Sequence, residues 1–250
     1  MRDPEKVHEN DIIFGRNSVA EALRSGRAID SLLAAKGERS GSIPKLIAMA
    51  KEKGIVVKQV DIKKLDYMCA HGAHQGIAVL AAVKQYSTID DILTAAREKN
   101  EPPFIIVCEG IEDPHNLGAI IRTALAAGVH GIIVPERHSA PLSFAVSKAS
   151  AGAVEYMPVA RVVNISAALK QLKERGLWIF CADMDGSLYT ESDLKGAIAL
   201  VIGSEGHGVG RLVKENCDFT IKIPMKGQIN SLNASVAAGI LIYEVIRQRN

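Results

Sequence analysis

The feature that most constrains this 250-residue chain is a series of short, uninterrupted apolar runs beyond residue 103, separated by stretches of helical periodicity. FIIVC at 104–108, GIIVP at 131–135 and AIALVI at 197–202 show no polar alternation. Such strands are buried on both faces, as in a parallel sheet with helices packed above and below. LGAIIRTALAAG, LSFAVSKASAG and AALKQLKERG read as the intervening helices, LWIFCAD and DFTIKIP as further strands, residues 155–161 as a short extended stretch, and the chain from Asn233 as a last helix. The expected fold class is therefore α/β, with residues 102–250 forming one domain.

Residues 1–84 carry a shorter version of the same alternation. Helices are expected at 19–25 and 44–53, and strands at 31–35, 55–60 and 77–83, which predicts a small α/β unit. One amphipathic helix, 89–99, lies in the polar stretch 85–101 and is closed by Pro102-Pro103, which reads as a linker. Residues 1–84 hold 14 Lys and Arg against 10 Asp and Glu, whereas 85–250 hold 16 against 18. The small unit is the basic part, which suits a phosphate-rich partner without requiring one. The charged start MRDPEKVHENDIIFG is unlike a signal peptide and no later segment is long and apolar enough to span a membrane, so a cytoplasmic, non-membrane protein is expected. Four scattered cysteines and a lone His71-x-x-His74 pair lack the spacing of a metal site, and no metal is expected.

Three clusters in the larger domain combine strand-end position with polar side chains. In EGIEDPHNLGAIIRTALAAG, Asp113-Pro114 signals a helix start and sets Asn116 at the helix mouth, just past a strand's carboxyl end, where open α/β sheets place ligands. Within this helix Ile120, Ile121, Ala124 and Leu125 form the expected buried stripe, and Arg122 stands between the small residues Gly118 and Ala126. A guanidinium so placed suits a phosphate, or equally a surface carboxylate. ALVIGSEGHGVGRL opens from a strand into a glycine-rich loop centred on Glu205; its spacing fits neither a dinucleotide fingerprint nor a phosphate loop. In IPMKGQINSLNASVAAGILIYEVIRQR, four hydrogen-bonding residues, Asn230, Ser231, Asn233 and Ser235, crowd one helix start that needs a single cap. The helix that follows is apolar nearly all round from Val236 to Tyr243, so a subunit interface is expected to cover one side.

DPHNLGAIIRTALAAGV, LVIGSEGHGVG and IPMKGQINSLNASVAAGI, in this order, resemble the three signature motifs of the SpoU (TrmH) family of SPOUT methyltransferases. FGRNSVAEAL and HGAHQGIAV resemble the small RNA-binding domain that precedes the catalytic domain in members acting on a guanosine of large-subunit ribosomal RNA. The resemblance implies a SPOUT-type parallel sheet with a trefoil knot and a homodimer with its site at the interface. It implies S-adenosylmethionine as cofactor and methylation of a ribose 2′-hydroxyl in structured RNA. It also implies a cofactor site at Val201, Gly203, Ile223, Met225, Ser231 and Leu232, catalytic-site roles for Asn116, Arg122, Glu205, Ser231 and Asn233, and RNA contacts from Arg16 and Lys148. Transfer RNA, or a ribosomal site whose methylation confers antibiotic resistance, are alternative targets within the same chemistry. A catalytically inactive RNA-binding protein is a rival of another class. A nucleotide-dependent oxidoreductase lacks its glycine fingerprint here.

Overall fold

The computed structural model describes residues 12–38, 40–82, 84–227 and 231–250, which fall into two compact units, 1–85 with 142–156, and 86–141 with 157–250. Asn230 of the third motif, the last residue of the strand expected at 77–83 and the first eleven residues lie outside the described residues.

In the first unit, β1 (Ile12–Phe14), α1 (Arg16–Arg24), β2 (Ile29–Ala35), α2 (Ile43–Glu52), β3 (Val56–Val60), α3 (Ile62–Met68) and β4 (Ile77–Ala81) build a four-stranded sheet of order β1-β4-β2-β3. β2 pairs antiparallel with β4 and parallel with β3. The run LLAA in β2 is buried residue by residue because both faces are covered. Leu32 and Ala34 pack with Val19 and Leu23 of α1 and Leu46 of α2, while Leu33 and Ala35 pack with Phe14, Leu65 and Ala78. Sequence reading missed β1, only three residues long, and α3, whose start is marked by Asp61 accepting from the Lys63 amide at 3.0 Å. His74 of the HxxH pair is spent on structure: Nδ1 accepts from the Gly76 amide at 3.0 Å and Nε2 bonds Asp66 at 2.8 Å.

The second unit opens with α4 (Ile89–Glu98), β5 (Phe104–Cys108), α5 (Pro114–Ala126) and β6 (Gly131–Pro135). The chain then passes through α6 (Phe144–Ala149) and a 3-10 turn (Ala153–Glu155) before β7 (Val159–Val162), α7 (Ile165–Glu174), β8 (Trp178–Leu188), β9 (Ile198–Ile202), α8 (Arg211–Lys214), β10 (Phe219–Lys222) and α9 (Ala234–Arg249). Six strands of order β10-β8-β9-β5-β6-β7 pair in parallel throughout. Their apolar runs are buried at every position in β5 and β9, as a strand covered on both faces must be. Ile92 and Leu93 of α4 and Leu169 and Leu172 of α7 join one core cluster with Val107, Cys181 and Val201, while α5 packs on α9. In α5 the buried stripe is Leu117, Ile120, Ile121 and Ala124, with Leu125 only half-buried. No helix among the described residues is long and apolar enough to cross a membrane.

Two boundaries read from sequence are corrected. Residues 85–101 are not a free linker, because α4 buries Ile89, Ile92, Leu93 and Ala96 in the second unit. Residues 102–250 are not one continuous domain, because 142–156 packs with the first unit, and the part expected as extended from residue 155 begins as a helical turn. The reason is the face of the small sheet that α3 covers in part, where Phe144 completes the packing: its ring stacks on Phe14 with centroids 3.5 Å apart. Arg27 then fixes the far end of the segment, its Nη1 bonding Glu155 at 2.7 Å with both side chains buried, while Lys84 Nζ donates to the Glu155 carbonyl at 2.8 Å. A buried pair stripped of one charge leaves the other desolvated without compensation. Glu155→Gln is therefore expected to lower stability by about 3–5 kcal/mol in urea denaturation; a variant as stable as the parent would show that this pair does not hold the segment.

Candidate functional site

Three chain segments far apart in sequence converge at the carboxyl ends of β5 and β9 and the amino end of α9. Asp113 caps α5, accepting from the His115 amide at 3.0 Å, and Pro114 occupies the first turn, as the sequence predicts. That leaves Asn116 free of capping duty and half-buried at the helix mouth. Beyond β9 the chain doubles back: Ser204 and Gly208 exchange backbone hydrogen bonds at 3.1 and 2.9 Å. Gly203 is required there, since a Cβ would lie 2.1 Å from the Gly208 carbonyl carbon, and Gly208 has φ +63°. The fold-back carries Glu205 out at its tip.

Glu205 is the hub. Its Oε1 accepts from Asn116 Nδ2 at 3.0 Å, from Asn233 Nδ2 at closer range and from the Ala234 amide at 3.4 Å. Asn233 uses both ends of its amide: Nδ2 also donates to Asn116 Oδ1 at 2.9 Å, while Oδ1 caps α9 by accepting from the Ser235 and Val236 amides at 3.0 and 3.3 Å. An aspartate in its place would cap but not donate. Glu109, directly after β5, accepts from the Gly210 amide at 2.9 Å and so holds the outgoing limb of the same loop. Burial raises the pKa of this carboxyl, and the bond from Gly210 works against that shift.

Beneath the hub lies a cavity of about 400 Å3, in the size range of small-molecule sites. Gly203, Glu205, Ile223, Met225, Ser231 and Leu232, all expected from sequence, line it. Val201 does not. Strand alternation sends its side chain to the opposite face, into the core beside Val107 and Cys181, and Ile202 lines the cavity instead. Arg122 also stands apart from the cavity, exposed on α5, and no ion pair engages it among the described residues. Asp183, Met184 and Leu241 line the cavity without having been expected. Their only sequence signal is position: Asp183 and Met184 lie late in β8, which continues past the predicted strand, and Leu241 lies two turns into α9. Of the expected RNA contacts, Arg16 bonds Ser40 Oγ at 2.9 Å and the Gln75 carbonyl at 3.3 Å, and Lys148 is exposed on α6; both belong to the first unit.

Residues 103–243 match the family profile described as SpoU rRNA Methylase family, and residues 12–88 match that for RNA 2'-O ribose methyltransferase substrate binding. A Bacillus subtilis protein named as a TrmH family tRNA/rRNA methyltransferase is 48% identical over 97% of each chain, and a Staphylococcus haemolyticus protein of the same family name is 44% identical over 97% of each. Among solved structures, an AdoMet-bound rRNA methyltransferase from Sinorhizobium meliloti superposes with TM-score 0.79 at 26% identity, over 94% of this chain and 86% of that one. The SpoU methyltransferase AviRb from Streptomyces viridochromogenes in complex with AdoMet gives 0.80 at 24%, over 95% and 89%, a likeness of fold. With the larger unit matched by one profile, the small one by the other, and relatives similar along nearly the whole length, the chain belongs to the SpoU rRNA methylase family.

Proposed function

We propose that this protein transfers a methyl group from S-adenosylmethionine to a ribose 2′-hydroxyl of RNA, with a guanosine of large-subunit ribosomal RNA as the target. The observation that carries the reading is the Asn116–Glu205–Asn233 cluster standing at the rim of the 400 Å3 cavity. The cavity suits the cofactor: Ile202, Met225, Leu232 and Leu241 offer apolar wall, while the fold-back from Gly203 to Gly208 adds a polar side to the lining. When bound, the cofactor supplies an activated methyl on sulfur; the 2′-oxygen gains that carbon, the carbon–sulfur bond breaks to leave the thioether, and the hydroxyl proton is released.

The chain's own residues have to place the hydroxyl in line and stabilise charge developing on its oxygen. Arg122 has that role in this reading, binding an RNA phosphate and the developing alkoxide. A guanidinium stays protonated and is a poor base, so the proton acceptor is assigned to another group. Asn116 and Glu205 orient the ribose, and Ser231 with Asn233 shapes the methionine end of the cavity. The first unit, with Arg16 and Lys148, holds RNA away from the reaction centre.

Since Arg122 lies outside the cavity of its own chain, the reading includes a homodimer through α5 and α9 that completes the site. Val236 and Tyr243, 49% and 53% exposed, lie seven positions apart on one face of α9, and they support an interface there. Thr123 of α5 and Gly239 of α9 approach closely, a Cβ on the glycine standing 3.8 Å from Thr123 Cγ2, which sets Arg122 beside that face. The trefoil knot belongs to the same reading, supported by the order β10-β8-β9-β5, in which the last strand returns beyond β8.

Two outcomes follow. Arg122→Ala is expected to reduce methyl transfer to ribosomal RNA by on the order of a hundred-fold or more, while calorimetric affinity for S-adenosylmethionine stays within a few-fold; retained activity would overturn the role. Val236→Asp with Tyr243→Asp is expected to convert the protein to a monomer in sedimentation velocity and to remove methyl transfer, and an active monomer would overturn the shared site.

A further inference from the structure

A second cavity, of about 720 Å3, opens at the carboxyl end of the six-stranded sheet, among the segments that follow β5, β6, β7 and β9. It shares Ser204, His207 and Gly208 with the first cavity. The wall between them is thus one turn of chain, closed by the Ser204–Gly208 backbone pair and anchored by Glu109 on Gly210. Whatever fills the second cavity lies against the back of the loop that carries Glu205.

Its surface is mixed in a particular way. Arg137 and Arg211 are both exposed on its walls; among the described residues Arg211 has one ion pair, with Glu215 at 3.7 Å, and Arg137 has none. The amino end of α7 adds positive partial charge. The nearby His138 is already bonded to Glu112 at 2.9 Å. Val163 and Leu212 also line the cavity, 83% and 64% exposed. One exposed aliphatic residue is ordinary, but two beside a pair of available guanidiniums make a surface complementary to a nucleotide, anionic on one side and flat and apolar on the other. Glu109 would repel a phosphate set above it, which fixes the polarity: phosphate at the arginines, base toward the carboxylate.

We propose that this second cavity holds the nucleotide adjoining the methylated one in the RNA strand, with its phosphate between Arg137 and Arg211, its base against Val163 and Leu212, and an amino-bearing base edge toward Glu109. Glu109 Oε2 is taken by the Gly210 amide, and no hydrogen bond engages Oε1 among the described residues. The inference rests on the RNA methyl-transfer reading above and extends it to the flanking nucleotide.

The test uses the full-length protein and ribosomal RNA isolated from a strain lacking the gene. For Arg137→Ala with Arg211→Ala, KM for RNA is expected to rise on the order of ten-fold with kcat within about two-fold, and the slope of log affinity against log salt to fall by about one, one phosphate contact being lost. S-adenosylmethionine affinity, read by calorimetry, stays at the parent value and reports an intact fold. Arg137→Lys with Arg211→Lys retains the charge and restores most of the affinity. An unchanged KM and salt slope in the double alanine variant would overturn the site while leaving the methyl-transfer reading standing. A parent protein that methylates no RNA would overturn both.

Discussion

The carboxylate of Glu205 is the point on which this site depends. It joins Asn116, 89 positions earlier, to Asn233, 28 positions later, and it does so at the tip of a loop held at its base by the Ser204–Gly208 backbone pair and by Glu109. Three strand-end segments that share no local contact become one rim. Each partner is already fixed by its own element: Asn116 by a helix whose cap is filled by Asp113, and Asn233 by its own capping of α9. Glu205 has no such support and depends on the fold-back between Ser204 and Gly208. The cluster is therefore stiff on two sides and conditional on the third, and the glycines of the loop are the condition.

That condition explains why two glycines of the loop are not equivalent. Gly203 packs against the backbone of Gly208 and Val209 with no room for any side chain, so it is a packing residue as much as a conformational one. Gly206 has open space around it. The first sets the position of the loop, and the second leaves its tip unobstructed above the cavity.

Much of this was legible in the sequence, for identifiable reasons. β5 and β9 were readable because a strand buried on both faces has nothing polar to confuse its pattern, and Asp113-Pro114 was readable because a cap and a first-turn proline act locally. The surplus of polar residues near Asn233 was readable because one cap needs one side chain, and among the described residues Asn233 takes that duty. What failed was non-local. Nothing in the periodicity of 144–149 says which core receives Phe144, since a helix that can cover one sheet can cover another. An expected cofactor position along the backbone at Val201 does not say which side chain reaches the cavity, and the register of β9 between β5 and β8 sends Ile202 there. Arg122 was placed at the reaction by motif, and within one chain it stands exposed on α5, away from the cavity lining.

The excursion of 142–156 carries a further consequence for how the first unit recognises anything. Lys148 and Arg16 come from stretches more than a hundred residues apart, and the packing of α6 makes them members of one unit. Their settings differ: the Arg16 guanidinium is already committed to Ser40 and Gln75, whereas the Lys148 ammonium is exposed. A lysine on an exposed helix acts as a point charge and tolerates many phosphate positions, while a guanidinium held by two partners presents its remaining donors in a fixed direction. The Arg27–Glu155 pair and the Phe14–Phe144 stack, which tie the segment down at its two ends, thus also fix where the Lys148 charge is carried in the first unit.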